Sequence, residues 1–178
     1  MSGTIAQQPD LIGKTAVDNA MKLIAGETIP TSIPVEVTLV TIENVDSYAA
    51  AGGAVEIVGN GTIGLSISTL NNPFFVTLVE GAKEAAEKAD VQLVVVDAGD
   101  DAAKQVSDIE DLIAKNVSVL IVNPVDSDTV SSVVQDAVNK GVKVISADRV
   151  VNGVDIDCQI ASDNVLGAEL ATQYIVDQ

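Results

Sequence analysis

The chain has 178 residues, a length typical of one domain that buries its own hydrophobic core. Its formal net charge of −17 argues against nucleic-acid binding, because phosphate backbones are held by clusters of Lys and Arg side chains. The chain holds one cysteine and no histidine, which excludes an internal disulfide and the usual zinc and haem sites, so we expect no cofactor and no metal.

The first 45 residues predict a strand, a helix and a second strand. The first strand covers residues 4–6, and a helix ended by Gly26 covers residues 9–25. The second strand, residues 35–42, is an apolar stretch that follows a proline-containing turn. This order differs from the regular alternation of strands and helices that comes after it.

Residues 46–61 are predicted to be a linker, because they contain a run of three alanines and two glycines. A short strand over residues 54–58 is an alternative within this stretch. Residues 59–64 have the spacing G-x-G-x-x-G, but they precede a predicted strand. A dinucleotide-binding fingerprint follows a strand and opens a helix, so we interpret these glycines as the end of the linker.

From residue 62 onward, strand and helix patterns alternate. The predicted strands are residues 62–67, 91–96, 117–122, 142–147 and 155–161, and the predicted helices are residues 75–89, 101–115, 127–140 and 164–176. Serial βαβ units form a parallel sheet with helices on both faces. The predicted fold class is therefore α/β, a three-layer α/β/α arrangement with a flavodoxin-like parallel sheet.

Ligands of such sheets bind beyond the carboxyl ends of the strands, where aspartates are frequent in this chain. Asp97, Asp100 and Asp101 follow one predicted strand, and Asp126 and Asp128 follow the next. They could hold Mg²⁺ or accept a phosphoryl group, but capping of the next helix explains them as well. Without histidine or a nucleophile motif, we do not expect an enzyme.

Both phenylalanines of the chain are adjacent at the end of the first strand of this series. Phe74 and Phe75 follow Asn72, so two rings and an amide could form a platform for the C–H face of a sugar. Packing at the start of a helix is the alternative. Asp148 and Arg149 end another strand and could bond adjacent hydroxyls, with a surface ion pair as the alternative.

Several of these segments resemble one known family. Residues 62–75, 123–128 and 160–164, together with Asp148 and Arg149, resemble the amino-terminal lobe of bacterial ribose-binding proteins. Members of that family are periplasmic or lipid-anchored receptors that deliver sugar to ABC importers, and the ligand-binding core of the lac repressor family is similar in fold. The resemblance implies one lobe of a type I periplasmic binding protein.

The first 45 residues resemble the carboxyl-terminal end of the same family. The resemblance implies a circular permutation: a family end at residues 1–45, a linker at residues 46–61 and a family beginning at residues 62–178, with the second lobe missing. All parts are expected to form one folded domain. Such an order favours an engineered protein.

The resemblance also implies the site residues. Its sugar-facing positions are Gln7, Asn72, Phe74, Phe75, Asp148 and Arg149. Phe74 and Phe75 would bracket the sugar ring, and the polar side chains would bond its hydroxyls. Family members close two lobes over the sugar, so a single lobe is expected to bind ribose weakly or not at all.

Two alternatives to sugar binding remain at this point. One is a stable scaffold or engineered fold-evolution protein without ligand function. The other is a small phosphoacceptor-like or enzymatic domain that uses Asp97, Asp100 or Asp101. Strand 35–42 and helix 164–176 resemble pieces of the second lobe, so they could pack within the chain or be exchanged in a homodimer.

Location is predicted from the same sequence. Hydrophobic residues make up 47% of the chain, yet no run of about 18 residues is wholly apolar, so no membrane span is expected. The segment Met1-Ser2-Gly3 lacks the basic and apolar stretches of a signal peptide. Expressed as written, the chain is expected in the cytoplasm.

Overall fold

Strands and helices alternate along most of the chain. The computed structural model describes residues 3–44 and 61–177. Its strands are β1 (Gly3–Ala6), β2 (Ser32–Val35), β3 (Thr38–Thr41), β4 (Thr62–Ile67), β5 (Gln92–Asp97), β6 (Val119–Val122), β7 (Lys143–Ala147) and β8 (Cys158–Ser162). Its helices are α1 (Pro9–Ile24), α2 (Pro73–Lys88), α3 (Ala102–Ala114), α4 (Ser131–Asn139) and α5 (Asn164–Val176). The predicted linker, apart from Gly61, and the alternative strand 54–58 lie outside the described residues.

Six strands form one parallel sheet in the order β2-β8-β7-β6-β4-β5. Its central strand β6 reads Val-Leu-Ile-Val, and every one of these residues is buried. Continuous apolar runs of this kind are typical of strands covered by helices on both faces. Among the described residues, no helix is long and apolar enough to cross a bilayer.

Helices cover both faces of the sheet, so the predicted three-layer α/β/α fold is confirmed. Val119 and Ile121 of β6 pack in one core cluster with α1 and α2. Leu120 and Val122, which point the other way, pack in a second cluster with α3 and α4. The alternation of side chains along a strand thus serves two separate cores.

Helix α1 from the front of the chain lies directly on α2. A Cβ atom added at Gly13 would lie 2.0 Å from the carbonyl oxygen of Leu78, and one added at Gly81 would lie 2.2 Å from the carbonyl oxygen of Asp10. Glycine therefore allows the two backbones to approach more closely than any side chain would permit. The front segment and the rest of the chain share one core.

The predicted strand 35–42 is wrong as a single strand. β2 ends at Val35 beside β8, whereas β3 begins at Thr38 and pairs antiparallel with β1. Between them the chain leaves the main sheet, and the Gln8 Nε2 atom donates to the carbonyl oxygen of Glu36 at 2.9 Å. The apolar pattern continues across this crossing, which is why the sequence predicted one element.

Two other predicted elements begin three or four residues later in the structure than predicted. Helix α4 starts at Ser131 and not at residue 127, because the Asp126 carboxylate accepts bonds from the amides of Asp128 and Thr129 and closes a turn. Strand β8 starts at Cys158 and not at residue 155. Just before β8, Asp157 bonds to Val144 twice: its amide donates to the carbonyl oxygen of Val144 at 2.9 Å, and its carboxylate accepts from the amide of Val144 at 2.8 Å.

A small second layer is formed by β1, β3 and α5. Gly167 of α5 lies close to β1, since an added Cβ would be 3.3 Å from Ile5 Cγ2. On the outer side of the helix, Val165, Ile175 and Val176 are 72%, 70% and 72% exposed. In this structure both segments that resemble second-lobe pieces pack within one chain.

Candidate functional site

The carboxyl ends of the parallel strands bring several loops together. The loops after β4, β6 and β7 lie along one edge of the sheet, since β6 is hydrogen-bonded to both of the other strands. The chain order reverses here, because β5 lies on one side of β4 and β6 on the other. Such a reversal opens a crevice in which ligands of α/β sheets bind.

Asn72 ends the loop after β4 and caps α2. Its Oδ1 atom accepts from the amide of Phe74 at 3.0 Å, and Pro73 follows at the first turn, where its missing N–H is not needed. The residue is exposed, so its amide Nδ2 group remains a donor toward solvent. The cap fixes the direction in which α2 starts, and with it the two phenylalanine rings.

The two rings contact each other edge to face. Their centroids are 5.4 Å apart and their planes are at 90°. Carbon atoms in contact are about 3.5–4 Å apart, so a sugar between two rings would need roughly 7 Å or more. The two rings do not face each other across a gap in this structure, and the bracketing of a sugar ring by Phe74 and Phe75 stays a prediction.

The two phenylalanines differ in accessibility. Phe75 is only 3% exposed and belongs to the core under α1 and α2. Phe74 is half-buried and packs against that core from outside. Phe74 is thus the ring with exposed surface that a ligand could contact, while Phe75 is part of the core.

Arg149 lies over the buried ring. Its guanidinium carbon is 5.1 Å from the centroid of Phe75, and its Nη1 atom donates to the carbonyl oxygen of Pro124 at 3.0 Å. A cation over an aromatic face is attracted by the ring quadrupole. The guanidinium is therefore held both by the Phe75 ring and by the Pro124 carbonyl oxygen, at the carboxyl end of the sheet.

Asp148 has an unusual backbone conformation. Its φ of +65° lies in the left-handed region, and its amide donates to the carbonyl oxygen of Ile160 at 2.8 Å. Burial raises the pKa of its carboxyl, and the charge of Arg149 lowers it in part. None of the ion pairs in the described part of the chain joins Asp148 to Arg149, so the alternative of a surface ion pair between them is not found.

Gln7 lies at the end of β1, next to the start of α5. Its Nε2 atom donates to Asn164 Oδ1 at 3.3 Å, and the side chain is exposed. In the part of the chain that the structure describes, no hydrogen bond joins it to the other five predicted site residues. The structure brings together Phe74, Phe75 and Arg149 by direct contact, whereas Gln7 contacts Asn164 at the start of α5.

The aspartates of the neighbouring loops accept hydrogen bonds from nearby backbone amides, and one of them caps a helix. Asp101 Oδ1 accepts from the amides of Ala103 and Lys104 at the start of α3. Asp97 Oδ1 accepts from the amide of Gly99, and hydrogen bonds from Thr129 lower the pKa of Asp126. No group of three potential metal-ligating side chains occurs among residues 3–44 and 61–177.

Sequence reasoning missed four polar side chains inside the same edge. Ser66, Ser68, Gln105 and Asn123 are all fully buried, each with 0% exposure. They are hydrogen-bonded to one another and to the ends of the strands. The available signal was a polar residue at the end of each apolar strand, but serine and asparagine are too common there to indicate a network.

Comparison with known proteins gives one consistent result. The sequence profile described as periplasmic binding protein domain matches residues 63–178. The chain is 46% identical over 117 residues to the ribose import binding protein RbsB of Bacillus subtilis (strain 168), which covers 66% of this chain and 38% of that protein. The chain thus spans about two-fifths of the length of the curated relatives that it matches.

Solved structures agree with this result. A periplasmic ribose ABC transporter protein from Conexibacter woesei superposes with a TM-score of 0.63 and 26% identity, over 71% of this chain and 42% of that chain. A Caulobacter myo-inositol binding protein, solved with myo-inositol, gives a TM-score of 0.61 and 31% identity, over 70% of this chain and 43% of that chain.

Proposed function

The chain belongs to the periplasmic binding protein domain family, and from this we propose that it is one lobe of a sugar-binding protein that keeps part of a site for ribose or a similar monosaccharide. The observation that carries the proposal is the guanidinium of Arg149, held over Phe75 and against the carbonyl oxygen of Pro124, with Asp148 as the preceding residue. This pair offers fixed donors and acceptors at an open edge of the sheet.

The chemistry of these groups fits a polyol. A guanidinium donates several hydrogen bonds in one plane and a carboxylate accepts them, so together they suit two adjacent hydroxyls. The exposed part of the Phe74 ring suits the C–H face of a sugar, and Asn72 adds an amide donor. Gln7 would reach the same ligand from the end of β1.

We expect weak binding. Small-molecule sites usually bury most of the ligand surface, whereas the groups named above lie on a single edge. The cost of ordering the sugar is the same as in an enclosed site, while fewer hydrogen bonds offset it. A dissociation constant on the order of millimolar or weaker follows. Import of the sugar is proposed only for a parent protein of this family.

The order of segments supports a permuted lobe as part of the proposal. The family profile begins at residue 63, yet α1 and β2 from the front of the chain contribute to the core and to the sheet edge beside β8. An engineered order, in which a family end was joined to a family beginning, accounts for this. A stable scaffold without ligand function is the second candidate, favoured by the burial of Phe75.

A ribose titration followed by two-dimensional NMR tests the proposal. The amides of Asn72, Phe74, Asp148 and Arg149 are expected to shift in a saturable manner, and Arg149→Met should abolish these shifts while the fold persists. Lys143→Met, at the opposite end of β7, is the control because the ion pair of Lys143 within residues 3–44 and 61–177 is with Asp157 at the surface. Glycerol at equal concentration controls for solvent effects, and equal shifts with glycerol would favour the scaffold.

A further inference from the structure

The four buried polar side chains beneath the candidate site form a connected set. Burial of a polar group costs free energy unless it is hydrogen-bonded. Here the buried groups lie at the carboxyl ends of β4 and β6 and on α3, which is also where the candidate ligand loops begin. Their bonds determine how those loops are held relative to each other.

Asn123 connects two strands that are not neighbours in the sheet. Its Oδ1 atom accepts from the hydroxyl of Ser68 at 2.6 Å, and its Nδ2 atom donates to the carbonyl oxygen of Ala147 at 3.0 Å. Ser68 follows β4 and Ala147 ends β7, with β6 lying between these strands. A single fully buried amide therefore spans the crevice from one side to the other.

Gln105 fixes the loop on which Asn123 lies. Its Nε2 atom donates to the carbonyl oxygen of Asn123 at 2.9 Å and to Ser66 Oγ at 3.1 Å. Its Oε1 atom accepts from the amide of Val125 at 2.7 Å. The peptide between these two attachments is Pro124, whose carbonyl oxygen holds Arg149.

These bonds end next to the groups that would contact the sugar. Ala147 directly precedes Asp148, and Ser68 opens the loop that leads to Asn72 and Phe74. We propose that Asn123 is a positioning residue that sets the distance between the Phe74 surface and the Asp148-Arg149 pair. This inference rests on the proposed function, because it concerns the same site.

The test compares Asn123→Ala with Asn19→Ala. Asn19 is a matched control, because it is also a buried asparagine, 4% exposed, whose Nδ2 atom donates one bond, to the carbonyl oxygen of Thr15 on α1. Both substitutions should lower stability. Only Asn123→Ala should change the side-chain NMR signals of Arg149, whose shifts report the ring current of Phe75.

The same pair is then titrated with ribose. Asn123→Ala should weaken binding about tenfold, as loss of a supporting hydrogen bond does at other sites, while Asn19→Ala should leave the affinity unchanged. Ser68→Ala, which removes one bond and leaves the Asn123 Nδ2 contact, replaces Asn123→Ala if that variant does not fold, and should move the Arg149 signals in the same direction.

Two results would overturn the inference. Unchanged Arg149 signals in Asn123→Ala would show that the amide serves the fold alone, and equal changes in Asn19→Ala would show a general loosening. If the unsubstituted protein does not respond to ribose, the proposed function fails, yet the Arg149 signals still decide whether Asn123 positions the guanidinium.

Discussion

At the residue scale, Asp148 shows the cost of keeping a candidate site. Its φ of +65° lies in the left-handed region, which few residue types besides glycine, asparagine and aspartate adopt, and its carboxylate is partly removed from water. Strained or poorly solvated groups of this kind persist where a site needs them. The same features make Asp148 the residue whose replacement is most informative.

Asp148→Asn should stabilise the fold and weaken ribose binding about tenfold or more, since a charged acceptor is lost. The pKa of Asp148 lies above its ordinary value of 3.8 in the folded chain, so its contribution to stability falls as the pH rises from below 3.8 through the folded pKa. Asparagine does not titrate, so the substitution removes this pH-dependent loss of stability. Urea unfolding at several pH values should show a stability difference that grows through this range and then stays constant.

The other titrating groups are the same in both proteins, so they cancel in the difference. Glu84, whose pKa is lowered mainly by its hydrogen bonds with Lys88 and Lys14, is one of them. A stability difference that does not depend on pH would contradict the assigned burial of the Asp148 carboxyl.

Cys158 should be chemically silent in the folded protein. The residue is fully buried, and burial together with the Asp157 charge raises the pKa of its thiol from 9.0 to about 11. Because the thiolate is the reactive form, Ellman's reagent should modify it only as fast as the chain unfolds. The same reaction in guanidinium chloride is the control, and fast labelling without denaturant would show that β8 opens readily.

Candidate site residues could be singled out from the sequence only where a residue type is rare in the chain. The phenylalanines, Asp148 and Arg149 were singled out because aromatic residues and arginine are rare in this chain. Helix α2 begins at Pro73, two residues before the predicted start, so both phenylalanines lie in its first turn. Successive side chains on a helix point about 100° apart, so the two rings leave α2 in different directions.

At the element scale, the glycine contact between α1 and α2 joins the front segment to the rest of the chain. Gly13→Ala and Gly81→Ala should each destabilise the protein by about 1–3 kcal/mol, because the added methyl group meets backbone atoms. Helix propensity alone would instead stabilise an alanine by about 1 kcal/mol. Urea unfolding monitored by circular dichroism measures whether each substitution lowers or raises the free energy of unfolding.

Gly167→Ala in α5 is the matched control for this pair. Its added Cβ would meet only the side-chain atoms of Ile5 and Val37, at 3.3 and 3.4 Å, which can shift slightly. We expect Gly167→Ala to destabilise the protein less than Gly13→Ala or Gly81→Ala. If Gly13→Ala were as harmless as the control, the close docking of α1 on α2 would be refuted.

Helix α5 should be dispensable for the main sheet. Among its described residues only Gly167 is buried, and the helix packs on β1 and β3, outside the six-stranded sheet. Ending the chain after Asp163 should lower the thermal midpoint by about 5 °C or less, as expected for a loss of about 1 kcal/mol. Loss of cooperative unfolding in the shortened chain would show that α5 supports the core.

Element boundaries could be predicted where the local pattern has clear ends. Strand β4 and helix α5 agree with the predicted ranges, and Asp163 caps the start of α5. The crossing at Glu36 carries no glycine or proline of its own, so the pattern gave no sign that the chain changes sheets. The pairing of β3 with β1 and of β2 with β8 determines where the predicted strand divides.

At the scale of the whole molecule, the alternation of strands and helices was enough to predict the layered fold. The buried network of Asn123 could not be predicted, since it depends on which loops meet at the sheet edge. The candidate site lies on that edge, and the chain spans about two-fifths of the length of its curated relatives. Its net charge of −17 opposes self-association at low salt, while the exposed apolar residues of α5 favour it.

The most direct test of the central claim is a ribose titration of the monomer, isolated by size exclusion with light scattering and followed by calorimetry and NMR. We expect saturable binding on the order of millimolar, with shifts confined to the loops around Phe74, Asp148 and Arg149. Micromolar affinity of the monomer, or binding that occurs only in a dimer, would contradict the assignment of a single open lobe that retains half of a sugar site.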